Sequence, residues 1–236
     1  MLFKQLFDQE TGTYTYLVAD QNSKEAVLID SVREQAERDT KLIKELGLDL
    51  KYFLETHIHA DHVTAVSTLK EEFPLAQSVV SAHGGAPCAD ILVKDGDEIH
   101  FGELTITVLE TPGHTDSCVS YRMPDRVFTG DALLIRGCGR TDFQQGSPHR
   151  LYASVTQKLF SLPGETLVYP AHNYIGFTVS SIQEEQTLNP RLAKTSEAEF
   201  VEIMNNLNLP KPKRIDEAVP ANLNCGLSKE STLKQG

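Results

Sequence analysis

The chain has 236 residues, enough for one large domain with its own hydrophobic core. Its 22 Lys and Arg against 33 Asp and Glu give a formal net charge of −11, which argues against nucleic acid or an anionic membrane as a partner. No stretch approaches the ~18 apolar residues of a membrane span, and the first residues lack the pattern of a signal or transit peptide. We therefore expect a cytoplasmic protein.

Short apolar runs and alternating apolar residues predict a chain rich in strands. The predicted strands are residues 13–18, 26–29, 52–54, 78–81, 99–101, 104–108, 119–121, 127–129 and 166–169.

Helices are predicted between and after these strands. The apolar spacing and the Ser-x-x-Glu spacing of a capping box place them at residues 31–47, 63–73 and 151–159, and from Ser181 and Ser196 onward. Two β-rich halves with outer helices indicate an α/β (α+β) fold, an αββα sandwich, although a doubly wound sheet has the same pattern. We expect one domain over residues 1–236, with a helical and extended C-terminal segment from about residue 180.

The four cysteines are Cys88, Cys118, Cys138 and Cys225, and they form no Cys-x-x-Cys pair. We expect free thiols, as is usual in a reducing compartment. Cys138 and Cys225 are interpreted as packing residues, because no base or paired cysteine stands beside either in sequence.

A dense group of metal-ligand residues follows the strand predicted at residues 52–54. His57, His59, Asp61 and His62 fall within six positions, at the point where the chain turns into a helix. Strand ends are where α/β scaffolds place ligands. Imidazole and carboxylate groups are ligands for Zn, Fe, Mn or Ni, so the pattern predicts a catalytic metal site.

Three further residues at strand ends complete the candidate set. His114, Asp131 and His172 each follow an apolar strand and stand beside Gly or Pro, which hold the chain in a tight turn. Their order along the chain, after the histidine-rich motif, favours a common site.

This ordered set resembles that of the metallo-β-lactamase superfamily, over nearly the whole chain. The resemblance implies the αββα sandwich with a metal at its edge. Within the superfamily, residues 135–146 and 206–212 look most similar to segments of the persulfide dioxygenases.

The resemblance to persulfide dioxygenases implies one Fe(II) per chain, held by His57, His114 and Asp131 as two histidines and one carboxylate. It implies that these residues are catalytic and that the enzyme oxidises glutathione persulfide with O₂ and water to sulfite and glutathione. The other candidates then orient the ligands through hydrogen bonds: His59, Asp61, His62 and His172.

The alternative is a hydroxyacylglutathione hydrolase similar to glyoxalase II. There the same four residues bind a second metal, Asp131 bridges the two metals, and a bridging hydroxide attacks a thioester. The ligand types alone do not choose between the two enzymes; the choice rests on the resemblance. A metal-binding protein without catalytic activity is a third alternative.

Both substrates carry the two carboxylates of glutathione, so a local basic patch is expected. The candidates near the C-terminus are Arg191, Lys211, Lys213 and Arg214. Arg214 and Tyr174 are the first choices as substrate-binding residues, with Lys211 and Arg140 as further candidates. Arg140 is also expected to form a forked ion pair with Asp142.

Partners beyond the substrates are predicted only in outline. Any rhodanese-type sulfur-transfer partner is expected to be a separate protein, and the resemblance admits a homodimer. No nucleic acid and no membrane are expected.

Overall fold

The structure is a computed structural model, and it describes residues 1–227. The chain forms two compact units. Unit one comprises Met1–Val93, His100–Thr105 and the described chain from Lys211, and unit two comprises Lys94–Ile99 and Ile106–Pro210. The prediction of a single domain over residues 1–236 stays a prediction.

The first sheet lies in unit one and follows chain order, β1-β2-β3-β4-β5-β6. Its strands are β1 (Leu2–Asp8), β2 (Thr13–Ala19), β3 (Glu25–Ile29), β4 (Asp49–Leu54), β5 (Gln77–Ser81) and β6 (Ile91–Val93). The first three strands pair antiparallel, and β3 to β6 pair parallel. Parallel pairing requires crossover connections, and helices α1 (Ala36–Glu45) and α2 (Val66–Glu72) lie in two of them.

Both crossover helices begin later than predicted. Val32 and Thr64 pair as an isolated antiparallel bridge, which keeps both segments extended. A 3₁₀ turn, Arg33–Gln35, therefore precedes α1, and neither the turn nor the helix has a side-chain cap, so the capping box expected at Ser31 is wrong. For the same reason, α2 begins at Val66 and not at Val63.

The second sheet has the order β7-β8-β9-β10-β11-β12. Its strands are β7 (Glu98–Phe101), β8 (Leu104–Glu110), β9 (Val119–Arg122), β10 (Arg126–Gly130), β11 (Leu167–Pro170) and β12 (Ser180–Ser181). Strands β10 and β11 pair parallel, whereas β8 with β9, β9 with β10, and β11 with β12 pair antiparallel.

Two helices of unit two confirm the sequence signals at their starts, whereas the helix predicted from residue 151 begins earlier, at Pro148. Helix α3 (Pro148–Ala153) continues as a π-helical turn over Ser154–Leu159. Ser181 accepts a hydrogen bond from the backbone N–H of Glu184 at the start of α4 (Ile182–Leu188). Ser196 and Glu199 form the full capping box of α5 (Glu197–Asn205). These caps satisfy backbone N–H groups that the first turn leaves unpaired.

Strands β1, β6 and β12 were not predicted. Burial along β1 does not alternate between neighbours, and β6 and β12 have three and two residues, too few to show a period. Helix α6 (Ile215–Asn222) closes unit one. In the part of the chain that the structure describes, no helix is long and apolar enough to cross a membrane.

The prediction of four free thiols is wrong for one pair. Cys88 and Cys225 form a disulfide, whereas Cys118 and Cys138 are free and buried. Burial raises the pKa of the Cys138 thiol to about 11, in keeping with its predicted role as a packing residue. The disulfide joins segments that are 137 positions apart in sequence. The residues around Cys225 therefore could not indicate that Cys88 is its partner.

Candidate metal centre

In unit one, the histidine-rich motif follows the end of β4 and is anchored by Asp30. Asp30 follows β3, and its Oδ1 accepts the backbone N–H of Thr56 at 2.7 Å while its Oδ2 accepts the Thr56 hydroxyl at 2.8 Å. The Thr56 Oγ1 lies 3.0 Å from Nδ1 of His57. Because strands β3 and β4 are adjacent, the carboxylate at the end of one holds the turn that leaves the other.

His59 is enclosed by two carboxylates. Its Nε2 lies 3.2 Å from an oxygen of Asp30 and 3.2 Å from an oxygen of Glu55, and all three side chains are buried. Burial disfavours the charged imidazole, but the charge and hydrogen bonds of Asp30 and Glu55 outweigh it and raise the pKa of His59 to about 10. The Nε2 nitrogen is therefore committed to a hydrogen-bonded ion pair.

Asp61 and His62 form a second potential ligand pair. Nδ1 of His62 lies 2.8 Å from Oδ2 of Asp61, which also accepts the hydroxyl of Thr13 at 3.2 Å. Nε2 of His62 is buried and has no hydrogen-bond partner among the described residues. One ligand atom each from His59, Asp61 and His62 lies within 4.8 Å of the others. This group has the donor types of a metal site.

In unit two, the side chain of Asp131 lies between two imidazoles. Its Oδ2 is 3.5 Å from Nε2 of His114, and its Oδ1 is 2.6 Å from Nδ1 of His172. Asp131 directly follows β10, and His172 follows β11, the parallel neighbour of β10. The other ring nitrogen of His114, Nδ1, donates to the backbone carbonyl of Arg140 at 2.6 Å. That bond assigns the proton to Nδ1 and the lone pair to Nε2, the nitrogen facing Asp131.

The ligand positions predicted from sequence are thus distributed over both units. His57, His59, Asp61 and His62 lie in unit one, and His114, Asp131 and His172 lie in unit two. Each follows the end of a strand, as predicted.

Arg140 forms the predicted fork with Asp142, through hydrogen bonds of 2.6 and 2.7 Å. The same guanidinium donates to the carbonyl oxygens of Pro210 at 2.6 Å and Leu209 at 3.2 Å, and it lies over the ring of Phe143. Four hydrogen bonds and the flat face of the guanidinium are thus directed at the surrounding protein. Arg140 positions the loop whose carbonyl holds His114.

Tyr174 is exposed at 74% of its surface, and its ring stacks parallel to that of His172 at 6.1 Å between centroids. An exposed aromatic side chain beside a candidate ligand is well placed to contact a substrate.

Two cations of the predicted basic patch, Lys211 and Arg214, pair with nearby acids. Arg214 pairs with Glu34 at 2.9 Å and with Glu217 at 3.1 Å, and Lys211 pairs with Asp216 at 2.6 Å. Asp216 and Glu217 lie in the first turn of helix α6, where the helix dipole favours carboxylates.

Arg191 belongs to unit two and not with the other cations of the predicted patch. Its guanidinium donates to the backbone carbonyl of Cys138 at 2.7 Å.

Sequence reasoning missed three residues that hold the motif: Asp30, Glu55 and Asn222. Asp30 and Glu55 are carboxylates directly after strands β3 and β4, a signal of the same kind as that of Asp131. Asn222 donates to the backbone carbonyls of His59 and His62 from 160 or more positions away, and no local pattern marks it.

Comparison with known proteins places this geometry in a family. The model of the metallo-β-lactamase superfamily matches residues 9–172. The chain is 56% identical over 229 residues to the mitochondrial persulfide dioxygenase ETHE1 of Homo sapiens, a stretch that covers 96% of this chain and 89% of that protein. It is 38% identical over 183 residues to the hydroxyacylglutathione hydrolase of Brucella anthropi, covering 76% of this chain and 67% of that one.

A solved structure has the same fold. The crystal structure of ETHE1 from Myxococcus xanthus matches with a TM-score of 0.94 and 56% identity, covering 96% of this chain and 100% of that one. The predicted fold class is thereby confirmed, and the doubly wound alternative is wrong. The chain belongs to the metallo-β-lactamase superfamily and, within it, to the family of the persulfide dioxygenases.

Proposed function

We propose that this chain is a persulfide dioxygenase that oxidises glutathione persulfide with O₂ and water to sulfite and glutathione. The observation that carries the proposal is the 56% identity, over 96% of the chain, to a protein named as a persulfide dioxygenase. The relative with hydrolase activity in its name is more distant, at 38% identity over 76% of the chain.

We propose that His57, His114 and Asp131 hold one Fe(II) per chain. Neutral imidazole nitrogens and one carboxylate oxygen suit this ion. Two observations support the fit: the lone pair of His114 lies on Nε2, and that atom is 3.5 Å from an oxygen of Asp131. When bound by two histidines and one carboxylate, Fe(II) supplies open positions for oxygen and sulfur chemistry.

The remaining polar residues keep the ligands in place. His172 holds one oxygen of Asp131 and thereby orients the other oxygen toward His114. Asp30 holds Thr56, whose hydroxyl lies beside Nδ1 of His57. Asp30 and Glu55 both face Nε2 of His59 and thereby orient its ring.

The substrate peptide is proposed to contact Tyr174, Arg140, Lys211 and Arg214. Glutathione carries two carboxylates, and a forked guanidinium binds a carboxylate through two hydrogen bonds. Because Arg214 already pairs with Glu34 and Glu217, we propose that a substrate carboxylate exchanges with one of these acids.

The cytoplasmic location, a homodimer and a separate sulfur-transfer partner stay predictions. The human relative is named as a mitochondrial protein.

One observation favours a second candidate, a hydroxyacylglutathione hydrolase with two metals. Ligand atoms of His59, Asp61 and His62 lie within 4.8 Å of one another, and the buried Nε2 of His62 has no hydrogen-bond partner in the described chain. In that enzyme these residues would hold the second ion.

The deciding experiment measures O₂ uptake and sulfite formation on adding glutathione persulfide to protein loaded anaerobically with Fe(II). We expect uptake matched by sulfite in the iron sample, no uptake in a zinc-loaded sample, and one metal per chain. Two metals per chain with hydrolysis of S-lactoylglutathione and no O₂ uptake would overturn the proposal in favour of the hydrolase.

A matched pair of histidine variants links the activity to the site. His114→Asn is expected to lose iron and O₂ uptake together. His149→Asn is the control, because His149 pairs with Glu197 on the surface of the same unit. Equal iron content in both variants would remove His114 from the ligand set.

A further inference from the structure

The last described segment of the chain, residues 215–227, packs onto the histidine-rich motif and is called the C-terminal strap. Asn222 lies in it and is 5% exposed. Its Nδ2 donates to the carbonyl oxygens of His59 at 2.9 Å and His62 at 2.8 Å, and its Oδ1 accepts the backbone N–H of Thr64 at 2.8 Å. One side chain therefore forms three hydrogen bonds to the backbone of the metal-binding turn.

Apolar packing reinforces these bonds. Val219 and Leu223 of the strap pack against a cluster that includes Ile58 of the motif. Ala218 and Ala221 form a second cluster with Val63, directly after His62. The strap therefore contacts the motif on both sides of Asn222.

The end of the strap closes against the start of α2. The carbonyl of Cys225 accepts the backbone N–H of Ser67 at 3.1 Å. Gly226 has φ +86°, and a Cβ there would lie 2.6 Å from the carbonyl oxygen of Thr64. Only glycine permits this close approach, so the backbone at Gly226 packs directly against Thr64, two residues after His62.

A covalent bond fixes the strap in this position. Cys225 is joined to Cys88, which lies in the connection between β5 and β6 and packs against the cluster that contains Ile58. Both cysteines are partly exposed. A cavity beside the bond is lined by His57, Ile58, Asn222 and Cys225. The disulfide therefore borders a cavity whose lining includes His57, a proposed metal ligand.

We propose that the Cys88–Cys225 disulfide is a redox-responsive clasp that controls how tightly the chain retains its metal. In the oxidised form the strap is tied down and Asn222 holds the metal-binding turn. Reduction releases the strap, so that Asn222 dissociates more often and the metal is lost faster. We expect this chain in a reducing compartment, and disulfides there are usually transient and either catalytic or redox-sensing.

The reductant is a low-molecular-weight thiol of the glutathione class. Its thiolate attacks one sulfur of the disulfide, the S–S bond breaks, and the other cysteine leaves as a thiolate. A second thiolate attacks the mixed disulfide, so that two thiols are oxidised to one disulfide while Cys88 and Cys225 gain two electrons. The inference rests on the proposed metal site, but not on the reaction that the metal performs.

The test measures metal retention, so that it stays separate from the proposed activity. The full chain is loaded anaerobically with Fe(II), with and without prior reduction by a phosphine that is then removed. Thiols are counted after denaturation, and the release of Fe(II) to ferrozine is followed in the native protein. We expect two thiols before reduction, four after it, and release at least tenfold faster from the reduced protein.

Variants separate the clasp from general destabilisation. Cys88→Ser with Cys225→Ser is expected to release Fe(II) at the fast rate under both conditions. Asn222→Ala is expected to release it fast even when oxidised, Asn222→Asp at an intermediate rate, and Asn224→Ala at the rate of the unaltered protein. Asn224 is the control because its exposed side chain donates to the carbonyl oxygen of Pro220, within the strap.

Two outcomes would overturn the inference. Four thiols in the unreduced protein would show that the clasp does not form. Release rates within twofold of each other, despite a gain of two thiols, would show that the clasp does not control metal retention. If the serine variants fail to fold, the reduced and oxidised forms of the unaltered chain still decide between these outcomes.

Discussion

Nδ1 of His114 lies 2.6 Å from the backbone carbonyl oxygen of Arg140. The bond fixes the tautomer and the rotation of the ring, so that Nε2 faces Asp131. The carbonyl is held in turn by the loop around Gly139 and by the contacts of the Arg140 side chain. The geometry of one proposed ligand therefore depends on a loop that contributes no ligand itself.

Gly139→Ala should disturb His114 without removing any metal-binding group. A Cβ at Gly139 would lie 2.7 Å from Cγ and Nδ1 of His114 and 2.6 Å from the carbonyl oxygen of Asp131. The ring has to shift, and we expect Fe(II) affinity to fall at least tenfold, measured by competition with a chelator. Gly137→Ala is the control, because its Cβ would meet only Leu134 at 4.0 Å. Equal affinities in the two variants would contradict the prediction.

Arg140→Lys should remove hydrogen bonds that hold the loop around Gly139, while it keeps the positive charge. Lysine cannot form the fork with Asp142 and reach the two carbonyls as well. We expect the free energy of unfolding to fall by about 1–2 kcal/mol, measured by urea denaturation. Arg150→Lys is the control, since Arg150 makes an exposed pair with Asp116 that lysine can replace. A loss no larger than that of the control would show that the fork contributes nothing.

The stability of the metal-free protein should depend on the pairing of His59 at alkaline pH. The pKa of His59 is raised from 6.5 in the unfolded chain to about 10 in the folded one. The folded state thus keeps a proton that the unfolded state has lost, so this stabilisation is fully present below pH 6.5 and is lost as the pH rises through 10.

Glu55→Gln removes one of the two carboxylates that hold the charged imidazole. We expect the variant to lose its stability at a lower pH than the unaltered protein, in urea denaturation from pH 6 to pH 10. Glu10→Gln, at an exposed turn position, is the control. If the free energy of unfolding of Glu55→Gln changes with pH in the same way as that of the control, the Glu55 carboxylate does not hold the proton on His59.

Arg214→Ala should affect the substrate and not the metal. If a glutathione carboxylate binds this guanidinium, KM for glutathione persulfide should rise about 5–10-fold, the effect of ~1–1.4 kcal/mol, with iron content unchanged. Arg33→Ala is the control, because Arg33 also pairs with Glu217. An unchanged KM would remove Arg214 from the substrate site.

The candidate ligands were predictable because their signal is local. An apolar strand followed at once by His or Asp needs only a few neighbouring positions to be recognised, and His57, Asp131 and His172 all follow strands in the structure. The same rule applies to Asp30 and Glu55, which escaped prediction because a lone carboxylate after a strand is common. The caps at Ser181 and Ser196 were predictable for the same reason, since a cap acts within one helical turn.

The sequence by itself therefore determined the strand-and-helix pattern, the ligand types and their order along the chain. Only the tertiary structure decided which distant groups complete the motif. Asn222 reaches the backbone around His59 across 163 positions, and Cys225 reaches Cys88 across 137. Contacts of this range depend on how the chain folds back on itself, and a pattern read along the chain carries no information about it. The enclosure of His59 by Asp30 and Glu55 likewise arises only when β3 and β4 pair, because burial and neighbouring charge together set its pKa.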